Sequence, residues 1–148
     1  MRVETLAESA VQRTVTGRLS IVTDGRQTID ITSPVEQWLR EIGARSGLVV
    51  AFVRHTTASI IIQENADPDV QADLLDALDH IAPARAGYRH HDEGPDDMPG
   101  HIKAMLCPAS IAIPCNGRLL LGTWQSLYLV EHRSRGRPRE VVLTYCGG

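Results

Sequence analysis

Six histidines, His55, His80, His90, His91, His101 and His132, are the side chains best suited to chemistry near neutral pH. A neutral imidazole binds transition metals, and its proton comes off in that range. His80 falls near the end of an expected helix, where the dipole favours an imidazolium, and is read as structural. His91 adjoins His90, and neighbouring residues rarely serve one metal, so it is secondary. His55 follows an apolar strand, His90 sits in a polar loop and His101 lies on a short helix after that loop. These three could ligate one ion only if the fold brings them together; otherwise each ring simply bonds a backbone carbonyl or a carboxylate. The familiar zinc templates are absent: there is no H-E-x-x-H, no H-x-E with P-C-x-x-C and no cysteine pair.

The acidic candidates are Glu93, Asp96 and Asp97, set around two prolines in Glu93-Gly94-Pro95-Asp96-Asp97-Met98-Pro99. Such a group can hold a hard cation or act as a general base, and equally can make a turn followed by a helix cap. Glu64 and Asn65 stand where an apolar strand ends and Asp67-Pro68 opens a helix, which suits either functional side chains or an ordinary turn. Arg118 and Arg133 offer planar donor forks for phosphate, or are surface arginines. Nucleophile elbows, a Walker loop and G-x-G-x-x-G are absent, which disfavours hydrolase, NTPase and Rossmann readings.

The elements that must position these groups follow from periodicity. Residues 11–23 and 28–32 are rich in Val, Ile and Thr and read as a hairpin across Asp24-Gly25. Ser33, Pro34 and Glu36 form a capping box, followed by Val35, Trp38, Leu39 and Ile42 on one helical face. Strands are expected at 48–54 and 59–63, separated by His55-Thr56-Thr57. A second helix is capped by Asp67, faces the core with Val70, Leu74, Ala77, Leu78 and Ile81, and is closed by Pro83. The polar stretch 84–97 has the length of a functional loop. A short helix at 98–106 takes Asp97 as its N-cap. The rest reads as strands at 110–115, 118–121, 123–132 and 140–145, with a type I′ turn at Asn116-Gly117. In the third of these, Leu127, Leu129 and Glu131 share one face. The expected order ββαββααββββ is α+β with mostly antiparallel pairing, a sheet or sandwich carrying two main helices and one short one.

With 148 residues, a single domain over 1–148 is expected, and a (β/α)₈ barrel of about 250 residues is excluded. The 43% hydrophobic and 22% charged content is that of a folded protein rather than a disordered one. Fifteen basic residues against eighteen acidic, and only six aromatics, argue against a nucleic-acid partner. Charge is uneven: residues 64–97 hold ten acidic side chains against Arg85 and Arg89, whereas 131–148 hold four arginines against two glutamates. No signal peptide or membrane span is read. Cys107, Cys115 and Cys146 form no disulfide framework, and a cytoplasmic location is expected.

Several segments together resemble the YjbQ family, described as secondary thiamine-phosphate synthase-like. They are His55-Thr56-Thr57-Ala58-Ser59, Glu64-Asn65 with Asp67-Pro68, Tyr88-Arg89-His90, Glu93 through Pro99, His101-Ile102-Lys103, Asn116-Gly117-Arg118-Leu119, Gly122-Thr123-Trp124-Gln125 and Glu131-His132-Arg133. They run in family order over nearly the whole chain. Gln63, Gly100, Pro108 and Ser126 depart from the family pattern, and Gly100 bears on the positioning of His101.

The resemblance implies a compact α+β homotrimer with its motifs grouped near subunit contacts. It further implies a modest activity joining hydroxymethylpyrimidine pyrophosphate to hydroxyethylthiazole phosphate, with release of pyrophosphate. Glu64, Glu93, Asp96 and Asp97 would then be catalytic. Thr56, Thr57, Ser59, Asn65, Arg118, Trp124, Gln125 and Arg133 would bind substrate or phosphate. The cofactor would be a divalent metal, either zinc-like on His55, His90 and His101 or Mg²⁺ held through Asp96 and Asp97. The alternatives are a metal- and anion-binding protein or metal-dependent enzyme of another substrate, and a purely structural trimer. The partner expected is a small phosphorylated molecule rather than nucleic acid or membrane.

Overall fold

The computed structural model describes every residue, Met1–Gly148. Seven strands and three helices follow in the order β1 Arg13–Val22, β2 Gln27–Asp30, α1 Thr32–Glu41, β3 Ser46–Val53, β4 Ala58–Glu64, α2 Pro68–Ile81, α3 Asp97–Leu106, β5 Ser110–Asn116, β6 Gln125–Glu131 and β7 Pro138–Gly147. Strands β1, β7, β3 and β5 form one sheet in that order, β2, β6 and β4 a second, and every pairing is antiparallel. None of the helices is long and apolar enough to cross a membrane.

Alternation along the strands builds the core. β3 turns Val49, Ala51 and Val53 inward, and β7 turns Val141, Leu143 and Tyr145 the same way. They meet Ile60 of β4 and Leu127 and Leu129 of β6 in one apolar cluster, completed by Ile31, Val35 and Leu39 from the α1 region. Trp38 of α1 lies so close over Gly17 that a Cβ there would come within 2.8 Å of the indole nitrogen, so β1 needs glycine at this point.

Local expectations fail where a distant partner outbids a near one. β1 and β2 are not a hairpin: β1 pairs with β7 and β2 with β6, so the chain at Asp24-Gly25 crosses between sheets. The Ser33 capping box does not form. The helix starts at Thr32, whose hydroxyl accepts the Leu127 N–H at 2.9 Å, while Glu36 accepts the Leu119 N–H at 3.2 Å instead of reaching back. Gly117 has φ +67°, but no non-glycine residue has positive φ, so the Asn116-Gly117 turn is not type I′. The strand expected after it shrinks to a single bridge between Cys115 and Leu119, because Leu119 turns into the core. α2 is capped as expected, with Asp67 accepting from the Asp69 N–H, yet none of its residues is fully buried. α3 begins at Asp97, one residue earlier than expected, with Asp96 at the N-cap.

Beyond its apolar rows the sandwich encloses a charge pair at one end. Glu131, fully buried and in phase with Leu127 and Leu129, receives Arg139 Nε at 2.7 Å and Nη2 at 2.6 Å. It also accepts from the Thr23 hydroxyl at 2.8 Å and the Arg133 N–H at 2.9 Å. Arg139 Nη2 goes on to Thr57 Oγ1 and carbonyl at 2.9 and 3.1 Å, joining three strand ends. Removing one charge from such a pair strands the other in a low-dielectric site. Glu131→Gln is therefore expected to lower the unfolding free energy by about 3–5 kcal/mol in urea titration, while Gln37→Ala on the exposed side of α1 changes it by less than about 0.5 kcal/mol. A loss below about 1 kcal/mol at Glu131 would show that the pair does not hold the sandwich end.

Candidate metal centre and its cleft

Two of the three histidines singled out by the sequence meet, and their common partner is a carboxylate. His90 Nε2 lies 2.7 Å and His101 Nε2 3.3 Å from the same oxygen, Oδ2 of Asp97. The rings stand edge to face at 5.6 Å, and the donor atoms of the three residues all lie within 4.8 Å of one another. His101 reaches this place because it sits one turn after Asp97 on α3. Its Nδ1 lies 3.1 Å from the Thr56 carbonyl, which can only accept, so Nδ1 carries the proton. A neutral His101 therefore presents an Nε2 lone pair to a carboxylate oxygen that His90 Nε2 already approaches at 2.7 Å. That contact is repulsive unless a proton or a cation lies between them. A carbonyl behind one imidazole nitrogen with the other nitrogen free is the arrangement that orients a metal-binding histidine. Two nitrogens and one oxygen suit zinc or a similar transition ion, with a position left for water or substrate.

Asp97 itself is almost completely buried, and its other oxygen, Oδ1, pairs with Arg133 Nη1. Arg133 is spent entirely on this loop. Nε binds Asp96 Oδ2 at 3.2 Å, and Nη2 binds the Glu93 carbonyl at 2.8 Å and Asp96 Oδ1 at 3.4 Å. Arg133, expected to grip phosphate, is a buried clamp with its donors engaged by Asp96, Asp97 and the Glu93 carbonyl. Asp96 is likewise committed, since its Oδ2 also accepts the Ser134 N–H and hydroxyl at 2.7 and 2.9 Å. An Asp96–Asp97 pair open to Mg²⁺ is not present. Gly100 packs its α-carbon side against Thr57 and Arg133, where a Cβ would meet atoms at 3.2–3.3 Å, so this departure brings α3 closer to the clamp.

His55 stands apart from the trio. Its Nε2 accepts the Glu140 N–H at 2.8 Å, which removes that nitrogen from ligation. It nevertheless lines the same cleft, about 640 Å³ in volume, together with Thr56, Asp97, His101 and Glu93. The Glu93 side chain makes no ion pair or hydrogen bond, so it is the cleft's uncommitted acid. Thr57 is buried as the acceptor for Arg139. Ser59 is sealed inside, 2.8 Å from His132 Nε2, and does not line the cleft.

The remaining expected site residues gather elsewhere. Glu64 accepts the Ala66 and Asp67 N–H groups at 3.2 and 2.9 Å, shaping the entry to α2. Asn65 bonds the Thr123 and Gln125 carbonyls and Ser126 Oγ at 3.3–3.5 Å, and Gln125 accepts the Gly122 N–H at 2.9 Å. With exposed Trp124 they form a lock between two loops, and none of them lines the cleft. Arg118 is exposed on the turn after β5 and also lies outside it. Three cleft arginines, Arg54, Arg137 and Arg139, escaped the sequence reading. Arg139 had a signal, since it falls in phase with inward-facing Val141, Leu143 and Tyr145.

Burial sets the protonation of the polar interior. By itself it would raise the Asp97 carboxyl, but the His90 hydrogen bond and the Arg133 charge more than reverse it. For Asp96, burial is outweighed by the Ser134 N–H and Arg133, and for Glu131 by Arg139, the Arg133 N–H and Thr23. His132 moves down to about 4 through burial, reinforced by Lys103 and Arg139 and opposed by Glu131 and Asp79. His55 moves down in the same direction through burial and Arg139. A depressed histidine means that the unfolded chain binds the proton more readily. The stability it contributes is complete above about pH 6.5 and is lost as pH falls toward about 4. The three carboxylates act in the same direction over a more acidic window, losing their contribution as pH falls below about 4. Replacing His132 by Asn is expected to flatten the fall in stability between pH 6.5 and 4 by roughly 3 kcal/mol, with the acid limb below pH 4 retained, as read from urea unfolding across pH. An unchanged slope would place His132 in contact with solvent.

Comparison with known proteins agrees with this architecture. Residues 17–148 match the family described as UPF0047 protein YjbQ-like. A UPF0047 protein of Synechocystis sp. is 47% identical over 131 residues, covering 87% of this chain and 89% of the relative. The UPF0047 protein YugU of Bacillus subtilis is 44% identical over 106 residues, 71% of this chain and 79% of its own. A crystal structure of a conserved YjbQ/UPF0047 protein from Clostridium acetobutylicum superposes with TM-score 0.80 at 42% identity, covering 86% of this chain and 98% of that one. A protein from Aeropyrum pernix gives TM-score 0.81 at 33% identity, covering 90% and 99%. The match over residues 17–148, the relatives at 44–47% identity and the shared α+β fold of antiparallel sheets with three helices place this chain in the YjbQ-like UPF0047 family.

Proposed function

We propose that the cleft is a divalent-metal site of the zinc type in a protein that acts on a small phosphorylated molecule, with thiamine-phosphate formation as a reaction it can carry. The observation that supports this most directly is the His101 contact, a ring oriented by a carbonyl on one side and facing a carboxylate oxygen with the other. His90, Asp97 and His101 would hold the ion. Bound there, a divalent cation would neutralise charge on phosphate oxygens.

In the thiamine reaction the C–O bond between the pyrimidine methylene and pyrophosphate breaks, and its electron pair leaves with the pyrophosphate. The thiazole nitrogen supplies the pair for the new C–N bond. The chain's own part is to bind the anion and to hold Asp97 charged through Arg133. The less specific reading, a metal-dependent enzyme of another phosphorylated substrate, draws on the same residues.

Elemental analysis of protein purified without a metal-affinity tag is expected to find about one zinc or similar ion per chain. It should be lost in His90→Ala and His101→Ala and retained in His55→Ala and Glu64→Ala, with all four variants folded. Thiamine-phosphate formation should fall with metal content across the same variants. Metal bound without product would leave the less specific reading, and no metal would overturn both.

A homotrimer belongs to the same proposal. Its support is apolar surface that one chain leaves uncovered: Leu48 and Phe52 on the outer face of the larger sheet are 40% and 45% exposed, and Ile81 of α2 is 62% exposed. Light scattering at micromolar concentration is expected to give three times the 16.2 kDa chain mass. A monomer mass would refute it.

A further inference from the structure

Four arginines line the cleft beside the residues proposed to hold the metal, and only one of them is uncompensated. Arg133 is neutralised by Asp96 and Asp97, Arg139 by Glu131, and Arg54 pairs with Glu140 at 3.5 Å. Arg137 is engaged only through its backbone, exchanging hydrogen bonds with Thr23 at 3.0 and 3.1 Å. Its guanidinium makes no ion pair or hydrogen bond, and its Nε is shut off from solvent without a partner. A guanidinium cannot shed its charge to relieve this. A buried donor left without a partner is costly, and an incoming anion would relieve both burdens.

Two neutral donors accompany it. His55 accepts the Glu140 N–H on Nε2, so its neutral ring carries the proton on Nδ1 and can donate there. Burial and the Arg139 charge hold the His55 pKa below its ordinary value, so the ring is neutral at pH 7. Thr56 gives its carbonyl to His101 and leaves its hydroxyl without a protein partner. Both residues line the same cleft as Arg137. Thr56 also links the two functions, because one residue offers a hydroxyl to the cleft while its carbonyl orients a metal-binding ring.

We propose that Arg137, with His55 and Thr56, forms an oxyanion-binding end of the cleft that takes a phosphoryl group of the substrate, beside the His90–Asp97–His101 cluster. A planar guanidinium and two single donors suit the several oxygens of a phosphate or pyrophosphate better than the two of a carboxylate. The assignment deepens the proposed function by naming the residues that anchor its anion. It does not depend on the metal.

The test is calorimetric titration of the full chain with inorganic pyrophosphate, on protein as purified and again after dialysis against EDTA, with metal content and thermal unfolding measured on the same samples. Wild-type protein is expected to bind in both states. Arg137→Ala and Arg137→Gln should weaken binding roughly tenfold to a hundredfold, and Arg137→Lys less. Arg118→Ala should bind as wild type, and all variants should keep their metal and their fold. Binding unchanged in Arg137→Gln, or lost equally in EDTA-treated wild type, would show that the metal alone holds the anion and would overturn the proposal while leaving the metal site standing. No binding by wild type at millimolar pyrophosphate, or acetate binding equally well, would also overturn it. Arg137-dependent binding in a protein that carries no metal would sustain the anion site and refute the metal reading.

Discussion

The cleft depends on one buried ion pair, Arg133 with Asp97. Arg133 lies two residues beyond the end of β6, and both partners are at least nine-tenths removed from solvent. A guanidinium in that position has to be answered by carboxylate, because its desolvation cost is otherwise too large for the fold to carry. The answer comes from the loop between α2 and α3, which delivers Asp96, Asp97 and the Glu93 carbonyl to a single side chain. Once Asp97 is held through Oδ1, Oδ2 is left to face His90 and His101, and α3 starts where Arg133 has placed its first residue. The acidic excess over residues 64–97 and the arginines after residue 131 are thus, in part, the two halves of this clamp.

A division of labour among six cationic and acidic groups follows. Arg139 and Glu131 neutralise each other inside the sandwich and fix Thr57, and thereby the turn that carries Thr56 and His55. Arg133 and Asp97 neutralise each other at its edge and fix the start of α3. Arg137 and Glu93 remain uncommitted, one a cation and one an acid, in the same cleft. Buried pairs of this kind do little for net stability compared with apolar packing. Their effect here is positional, because each one holds a backbone segment that bears a cleft residue.

The residues that bear the family resemblance do two different jobs. His55, Thr56, Glu93, Asp97 and His101 line the cleft, whereas Glu64, Asn65 and Gln125 lock loops at the far end of β4 and β6. A motif shared across a family therefore does not by itself separate chemistry from architecture. The separation comes from what each polar atom touches. Glu64 and Asn65 satisfy neighbouring backbone groups, while His101 Nε2 is left facing another lone pair.

Periodicity in the sequence by itself determined the α+β class, the inward row of β6, the amphipathic face of α1, the Asp67 cap of α2 and the placement of Glu131 among apolar neighbours. All of these depend on residues a few positions apart. The ordered blocks of motif residues also determined the family. The tertiary structure alone decided what each strand pairs with, since β1 finds β7 rather than the adjacent β2, and backbone hydrogen bonds carry no label for a distant partner. It likewise decided that Asp97 rather than His55 completes the cluster with His90 and His101, that Asp96 and Arg133 are bonded to each other, and that the Arg137 guanidinium is left unpaired. Those outcomes turn on contacts between residues as far apart as Arg133 and Asp97, or Thr23 and Glu131. Which of several chemically equivalent carboxylates meets which arginine is settled by the packing of the whole chain, and no local pattern encodes it.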